Sequence, residues 1–237
     1  MQYQPITEPF TLLKNILYIN LDHRTDRLTQ VKEEFFNKLE IERLTNKAPE
    51  RFPAIGHQKG AIGCAISHIK CLEIALQRKY PYVFICEDDI EFLNPQHFLK
   101  AIREFEMNPP PKWNVFIVSG NSVPPYAQYN SSCIKVVNCQ TTTGYITHYN
   151  YYETLIQNYR EGLSLLMQYP GSDKNFAIDK YWKELQLSKT WYMLYPPCVI
   201  QRASYSDIEK KVVSYGELML DLEKKHLFKE VPKMNFM

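Results

Sequence analysis

Residues 84–92 read FICEDDIEF, a run in which Glu87, Asp88, Asp89 and then Glu91 follow the apolar segment Tyr82–Cys86. Adjacent anions at the end of a buried strand repel one another and lose hydration, so something positive has to stand among them. Hard divalent cations such as Mn²⁺ and Mg²⁺ take oxygen ligands and keep positions open for phosphate and water, which suits an acidic triplet facing a cleft. The other reading is a solvated acidic turn. If the chain stays extended, Glu87 and Asp89 project to the same side.

Other metal chemistries fit less well. An aspartyl phosphatase wants its acidic pair at the end of the first strand, and YINLD offers no partner two residues on. A nuclease wants a lysine soon after the acids, and EDDIEFLNP has none. A zinc centre wants His and Cys at regular intervals, and none is apparent. Diphosphate-linked donor chemistry remains.

The elements that must carry these residues follow from patterning. The apolar run NILYIN (15–20) suits a first strand ending at Asn20, and Thr25 is placed to cap a helix bearing Leu28, Val31, Phe35 and Leu39 on one face. IERLTN is expected as the second strand and RFPAIG as a turn. Ala61–Lys79 has a helical stripe of Ile62, Ile66, Ile69, Leu72 and Leu76. Pro81 opens the acidic strand, NPQHFLKAIREFE is a helix with proline at its start, and WNVFIVSG is a central strand. This β-α-β-α-β-α-β order predicts an α/β fold with a mostly parallel sheet flanked by helices. Ligands of such sheets bind beyond the carboxyl ends of strands, where Asn20, Glu87–Asp89 and Ser119–Gly120 should converge. The later segments predict a loop over 121–130, strands near 133–138 and at TTTGYITHY, a helix over 151–167, and a helix from about 215 to 226.

The chain has 237 residues, 45% hydrophobic and 23% charged, with 28 basic against 26 acidic side chains. One domain is expected over 1–237, with a first half at 15–120 and a second at 121–215. A net charge of +2 gives no reason to expect nucleic acid as a partner. Cys64, Cys71 and Cys86 read as reduced core residues. MQYQPITEPFTLL lacks the basic start and apolar core of a secretory leader, and no segment is long enough to span a bilayer. A cytoplasmic location is expected. Richness in Lys, Asn, Ile and Tyr suits an AT-rich genome, bacterial or viral, and a viral protein would work in the host cytoplasm.

ILYINLDHRTDRL, GAIGCAISHIKCLEIAL and VFICEDDIEF, in that order, resemble glycosyltransferase family 25, which includes lipooligosaccharide and procollagen galactosyltransferases. TTTGYITHYNYYETLIQ, FAIDKYWKEL and YPPCVIQRASYSDIE extend the resemblance over roughly 15–210, with Trp182 standing where the family has an aliphatic residue. The resemblance implies a GT-A-type fold, a UDP-sugar donor, Mn²⁺ or Mg²⁺, and inversion at the anomeric carbon. The sugar is expected to be galactose or glucose, with N-acetylglucosamine also open, and the acceptor a glycan or a hydroxylated protein. The positive partner of the acidic triplet is then the metal. The alternative is a module that binds the nucleotide sugar without transferring it.

Residue by residue, the resemblance makes Asp89 a metal ligand, joined by Glu87 and by Gln201 from the closing segment. Asp88, Asn20, Leu21 and Arg24 would meet the nucleotide, and Arg27 would reach phosphate or pair with an acid. Pro53 and Ala54 would flank the uracil, Ser67 or Lys70 would touch the nucleotide, and Gly144 and Tyr145 would sit beside the donor sugar. His68 is either a metal ligand or a hydrogen-bonded structural histidine. Asp179 would be the catalytic base, or else a helix cap or salt-bridge partner. Trp182 and Trp191 would stack on sugar rings, or fill the core.

Overall fold

The structure, a computed structural model, describes residues 10–224. Strand β1 (Ile16–Asn20) leads into helix α1 (Thr25–Lys32), which widens to a π-helical stretch over Glu33–Lys38. Then come α2 (Ile41–Thr45), β2 (Glu50–Pro53), α3 (Gly60–Gln77), β3 (Tyr82–Glu87), β4 (Ile90–Phe92), α4 (Pro95–Met107) and β5 (Val115–Ser122). The second half supplies β6 (Tyr126–Gln128), β7 (Cys133–Val136), β8 (Cys139–His148) and α5 (Tyr152–Gln168). It continues with the short helices α6 (Asp173–Phe176), α7 (Ile178–Tyr181) and α8 (Lys183–Gln186). The last described elements are β9 (Trp191–Leu194), β10 (Val199–Gln201), β11 (Ser204–Ser206), β12 (Lys211–Val213) and α9 (Gly216–Leu220).

One eight-stranded sheet runs β2-β1-β3-β8-β5-β9-β7-β6. The pairs β2–β1, β1–β3 and β5–β9 are parallel, and only β8 and β7 run against the rest. The expected α/β fold with a mostly parallel, helix-flanked sheet is therefore present. Because β8 lies between β3 and β5, the two halves of the chain share one sheet.

Alternation along the strands divides the core. Tyr18, Phe84, Cys86 and Phe116 face Phe35, Phe98 and Phe105 from the α1 and α4 side. Leu17, Val83, Ile85 and Ile117 face Ala65, Ile69 and Leu72 of α3 and Tyr152 and Tyr159 of α5. The same alternation turns Glu87 toward α3.

Several local expectations are corrected. IERLT is a helix, bracketed by left-handed Glu40 and Asn46 (φ 49° and 54°), with Ile41 and Thr45 buried one turn apart. The strand paired with β1 is instead Glu50–Pro53, the segment expected as a turn. Thr25 begins α1 rather than capping it; the cap position is Arg24, which makes no side-chain cap bond. The buried face of α3 is rotated from the aliphatic stripe: Ile66 and Leu76 are half-exposed, whereas Ser67, His68, Cys71 and Ala75 are buried. Ser119 lies inside β5 and donates to the Val199 carbonyl at 3.0 Å, away from any strand end. Helix α9 stops at Leu220, and residues 225–226 of the expected helix lie outside the described residues.

Buried acids fix the chain around the site. Glu34, fully buried, accepts from the Phe92 N–H at 3.0 Å and from Arg202 at 2.5 Å, tying α1 to β4 and to the segment after β10. Glu34→Ala leaves the buried Phe92 N–H unpaired, while Arg202 keeps Glu91 at 3.2 Å, and is expected to cost about 1–3 kcal/mol of unfolding free energy, read as a lower midpoint in chemical denaturation.

Candidate active site

The acidic triplet does not continue extended. Strand β3 ends at Glu87, the chain turns at Asp88 and Asp89, and β4 pairs antiparallel with β10, bringing Gln201 opposite Ile90. All three carboxylates line one cavity.

The positive charge among them is Arg27, from the first turn of α1. Its Nη1 donates to Asp88 Oδ1 at 3.0 Å and to Asp89 Oδ2 at 3.1 Å. Its Nη2 donates to Ser204 Oγ at 2.6 Å and to the Tyr205 carbonyl at 2.9 Å. Asp88 also accepts from Asn20 Nδ2 at 2.7 Å, and Asp89 from Gln201 Nε2 at 3.0 Å. Arg27 thus pairs with acids, as one of its two expected roles had it, and does so in the interior.

Even so, the charge is not fully neutralised. Burial first, and then the neighbouring charges of Glu87 and Asp88, push Asp89 up to about 7 against the pull of Arg27. Burial also raises Asp88, opposed by Arg27 and Asn20. Glu87 goes the other way: burial works to raise it, but His68, Thr142 and Arg27 together hold it below the usual carboxylate value. Asp89 Oδ1 is buried without a hydrogen-bond partner. That orphaned oxygen and the Glu87 carboxylate on the same cavity fit a hard divalent cation. Gln201 spends its amide nitrogen on Asp89, so its amide oxygen is the atom left for a ligand role.

The opposite wall is the start of α3. A side chain at Gly63 would lie 2.3 Å from the Ile55 carbonyl, so glycine is what lets the 54–57 loop close on the helix. Ser67 Oγ accepts from the Ile55 N–H at 2.8 Å and donates to the Gly63 carbonyl at 2.7 Å, securing that loop. Cys64 and His68, one turn apart, face Glu87: His68 Nε2 lies 3.5 Å from Glu87 Oε1. Cys64, half-buried and packed at the edge of the core, also borders the cavity, and it forms a single Cys/His pair with His68. The i, i+4 relation is visible in GCAISH once the helix is assigned.

A hairpin of β11 and β12 covers this cavity. Arg24 Nη1 bonds Asp207 at 2.6 Å and the Tyr205 carbonyl at 3.1 Å, and Gly60 leaves room for Ile208. Leu21, Arg24, Arg27, Ala54, Ser67, Asp88, Asp89, Glu87 and Gln201 line the cavity as expected; Asn20 stands behind it, holding Asp88. His23, Ile55–His57, Asp207 and Lys210 also line it and were not foreseen.

Pro53, Lys70, Gly144 and Tyr145 do not line it. Pro53 is exposed at the end of β2, and Lys70 points outward to Glu73 at 2.7 Å. Gly144 sits in mid-sheet, where a side chain would meet Ile90 and Phe84 at 3.0 and 3.2 Å. Tyr145 is fully buried behind His68, with rings stacked at 5.7 Å. Trp182 and Trp191 are fully buried and pack on each other, so they are core.

A second cavity of about 500 Å³ adjoins the first, of about 230 Å³; Cys64, Glu87, Gln201, Ser206 and Ile208 line both. The two meet along these five residues and form one cleft. Asp179 lines the second part. Its Oδ2 accepts from the Thr141 N–H at 3.1 Å and lies 3.7 Å from Lys180 Nζ. Thr141 has φ of 82°, a costly conformation for a β-branched residue and of the kind found at functional sites. Thr142, next to it, donates to Glu87 at 2.5 Å, so β8 links the acid that borders both parts to the acid of the second.

The fold is α/β with an acidic centre at a strand end, and a family match over most of the chain defines the class as glycosyltransferase. The chain belongs to glycosyltransferase family 25 (LPS biosynthesis protein), whose model matches residues 13–162. No curated protein sequence matches this chain. Among solved structures, a glycosyltransferase involved in glycosylation of the major capsid of PBCV-1 aligns at 10% identity and a TM-score of 0.45, covering 88% of this chain and 89% of that one. A197 from STIV aligns at 12% identity and 0.40, covering 84% and 93%. The mannose-1-phosphate geranyltransferase from Thermus thermophilus aligns at 6% and 0.39, covering 79% and 73%. At these scores nothing about the chemistry of this chain rests on the three. Among the described residues, no helix is long and apolar enough to cross a membrane.

The raised Asp89 carboxyl gives a pH test. A carboxyl that holds its proton more tightly folded than unfolded stabilises the fold at low pH, and this contribution is lost as pH rises from about 4 through about 7. Asp89→Asn mimics the protonated form. It is expected to raise stability by on the order of 1–2 kcal/mol at pH 8, less than the full shift implies because the Arg27 pair is lost, with the gain vanishing by pH 5. Denaturation at both pH values checks this.

Proposed function

We propose that this glycosyltransferase moves a hexose, galactose or glucose with N-acetylglucosamine as a further candidate, from a UDP-linked donor to a hydroxyl of a glycan or hydroxylated protein. In this reading the fold is of the GT-A type, the anomeric carbon is inverted, and Mn²⁺ or Mg²⁺ is the cofactor. The observation that carries it is the two-part cleft: Glu87 borders both a cavity where Asp88, Asp89 and Asp207 face His23, Arg24, Arg27 and Lys210, and a cavity bearing Asp179.

Arg24 and Arg27 are held by acids of the same cavity, so a diphosphate there would be met by the bound cation and Lys210, and Leu21, Ala54 and the 55–57 backbone offer a slot for a flat base. Glu87 and Asp89 would hold the cation, with Gln201 able to add its amide oxygen. When bound, the cation supplies positive charge that neutralises the diphosphate and the departing nucleotide. Asp179 keeps Oδ1 free to take the acceptor hydroxyl proton while Thr141 fixes Oδ2. Attack from the second cavity, with the nucleotide leaving into the first, is attack from the face opposite the leaving group. Ser206 and Ile208 of the hairpin roof both parts and would limit access of water.

Isothermal titration of UDP-galactose, UDP-glucose and UDP-N-acetylglucosamine, each with Mn²⁺ or EDTA, tests the donor half. Metal-dependent binding of one of them, lost in Asp89→Ala, is the expected outcome; no binding under any metal condition overturns the reading. For the transfer half, Asp179→Asn is expected to lower kcat about 10²–10⁴-fold with the donor KM little changed. Unchanged turnover in that variant removes Asp179 as the base.

A further inference from the structure

The hard-cation reading leaves part of the shared wall unexplained. His68 is fully buried, yet its Nε2 has no hydrogen-bond partner and faces Glu87 at 3.5 Å. That contact with Glu87 is too long for a hydrogen bond, and a buried polar atom without one is costly, which calls for a ligand between the two. Cys64, one helical turn earlier, presents its sulfur to the same point, and the ligand atoms of Cys64, His68 and Glu87 all lie within 4.8 Å of one another.

We propose that Cys64, His68 and Glu87 form a binding site for a thiophilic divalent metal, with Zn²⁺ the best fit, in the wall shared by the two cavities. This goes beyond the donor-site cation, because it uses the thiol and the imidazole and does not need Asp89.

The donor set selects the metal. One sulfur, one nitrogen and one carboxylate oxygen suit zinc, whereas Mn²⁺ and Mg²⁺ favour oxygen. Zinc bonds of about 2.0–2.3 Å place neighbouring tetrahedral ligands roughly 3.3–3.8 Å apart. The His68–Glu87 pair already has that separation, and the sulfur of half-buried Cys64, within 4.8 Å of both, needs to move by no more than about 1 Å.

The outer contacts are also in place. His68 Nδ1 lies 3.2 Å from Tyr145 Oη, so ligation through the Nε2 lone pair leaves the ring proton on Nδ1, donated to Tyr145. Thr142 orients Glu87 with its 2.5 Å hydrogen bond. Burial and the nearby acids raise the Cys64 thiol, which keeps it protonated without metal. On binding, that proton passes to solvent and the thiolate charge is met by the cation. Cys64 and Glu87 border both cavities, so the fourth position opens into the cleft. Zinc at this point withdraws Glu87 from the hard cation and obstructs the passage between donor and acceptor sides, which makes the site inhibitory.

The test uses the full chain stripped of metal. Zn²⁺ is titrated in competition with a chromophoric chelator, and Co²⁺ is added separately as a spectroscopic probe. Expected are one equivalent of zinc with a Kd below about 1 μM and an intense near-ultraviolet cobalt–thiolate band. Cys64→Ser, the conservative variant, should abolish that band and weaken zinc at least about tenfold, with Tyr145→Phe weakening it about tenfold through His68. Circular dichroism establishes that each variant is folded. Asp89→Asn should keep the zinc affinity, which separates this site from the donor cation: failure of UDP-sugar binding would leave the zinc result standing. Absence of tight zinc binding, zinc binding indifferent to Cys64→Ser, or zinc binding lost in Asp89→Asn would each overturn the proposal.

Discussion

The structure turns on one guanidinium. Asp88 and Asp89 close a turn in the interior, where two uncompensated carboxylates could not remain ionised together. Arg27 makes the turn tenable by donating to both, and with its other nitrogen it holds Ser204 and the Tyr205 carbonyl. A single side chain from α1 therefore couples the end of β3 to the hairpin over the cleft. Glu34, further along the same helical run, does the same with opposite sign, binding Arg202 and the Phe92 N–H. Between them, these two residues set where β4, β10 and the β11–β12 hairpin lie relative to the sheet.

The arrangement shows how a fold stores charge for use. Asp89 keeps one oxygen without a partner and a carboxyl raised to about 7, so it is the least satisfied acid of the triplet. Glu87 is held ionised by its neighbours and borders both parts of the cleft. Stability and function pull apart at this turn, as is common where charged groups are assembled for binding rather than for folding. The left-handed Thr141 beside Asp179 is a second place where the backbone is held away from its preferred conformation.

Some of this was legible from the chain and some was not, for identifiable reasons. Strands β1, β3 and β5 and helices α3, α4 and α5 are marked by long periodic apolar runs, and such runs dictate their own structure. Ile41–Thr45 misleads because five residues with two aliphatics suit either a turn of helix or a strand. Only the slot beside β1, filled by Glu50–Pro53, decides it. Gly144 and Tyr145 misled for a related reason. The family resemblance set them beside the donor sugar, but the strand has passed into the middle of the sheet by then.

The sequence alone determined the alternation of strand and helix through β1, α1, α3, β3, α4 and β5 and the acidic strand end, together with the motifs that place the chain in family 25. Those are local facts, written in periodicity and in runs of like residues. Tertiary structure alone decided which partner each charge would have. Arg27 meets Asp88 and Asp89 across 61 and 62 residues, and Gln201 meets Asp89 across 112. Cys64, half a helix from anything acidic in sequence, is brought to Glu87 because α3 packs on the face toward which β3 turns that residue. Pairings of that range depend on how helices dock on the sheet, and docking is set by side-chain packing across the whole core rather than by any one segment.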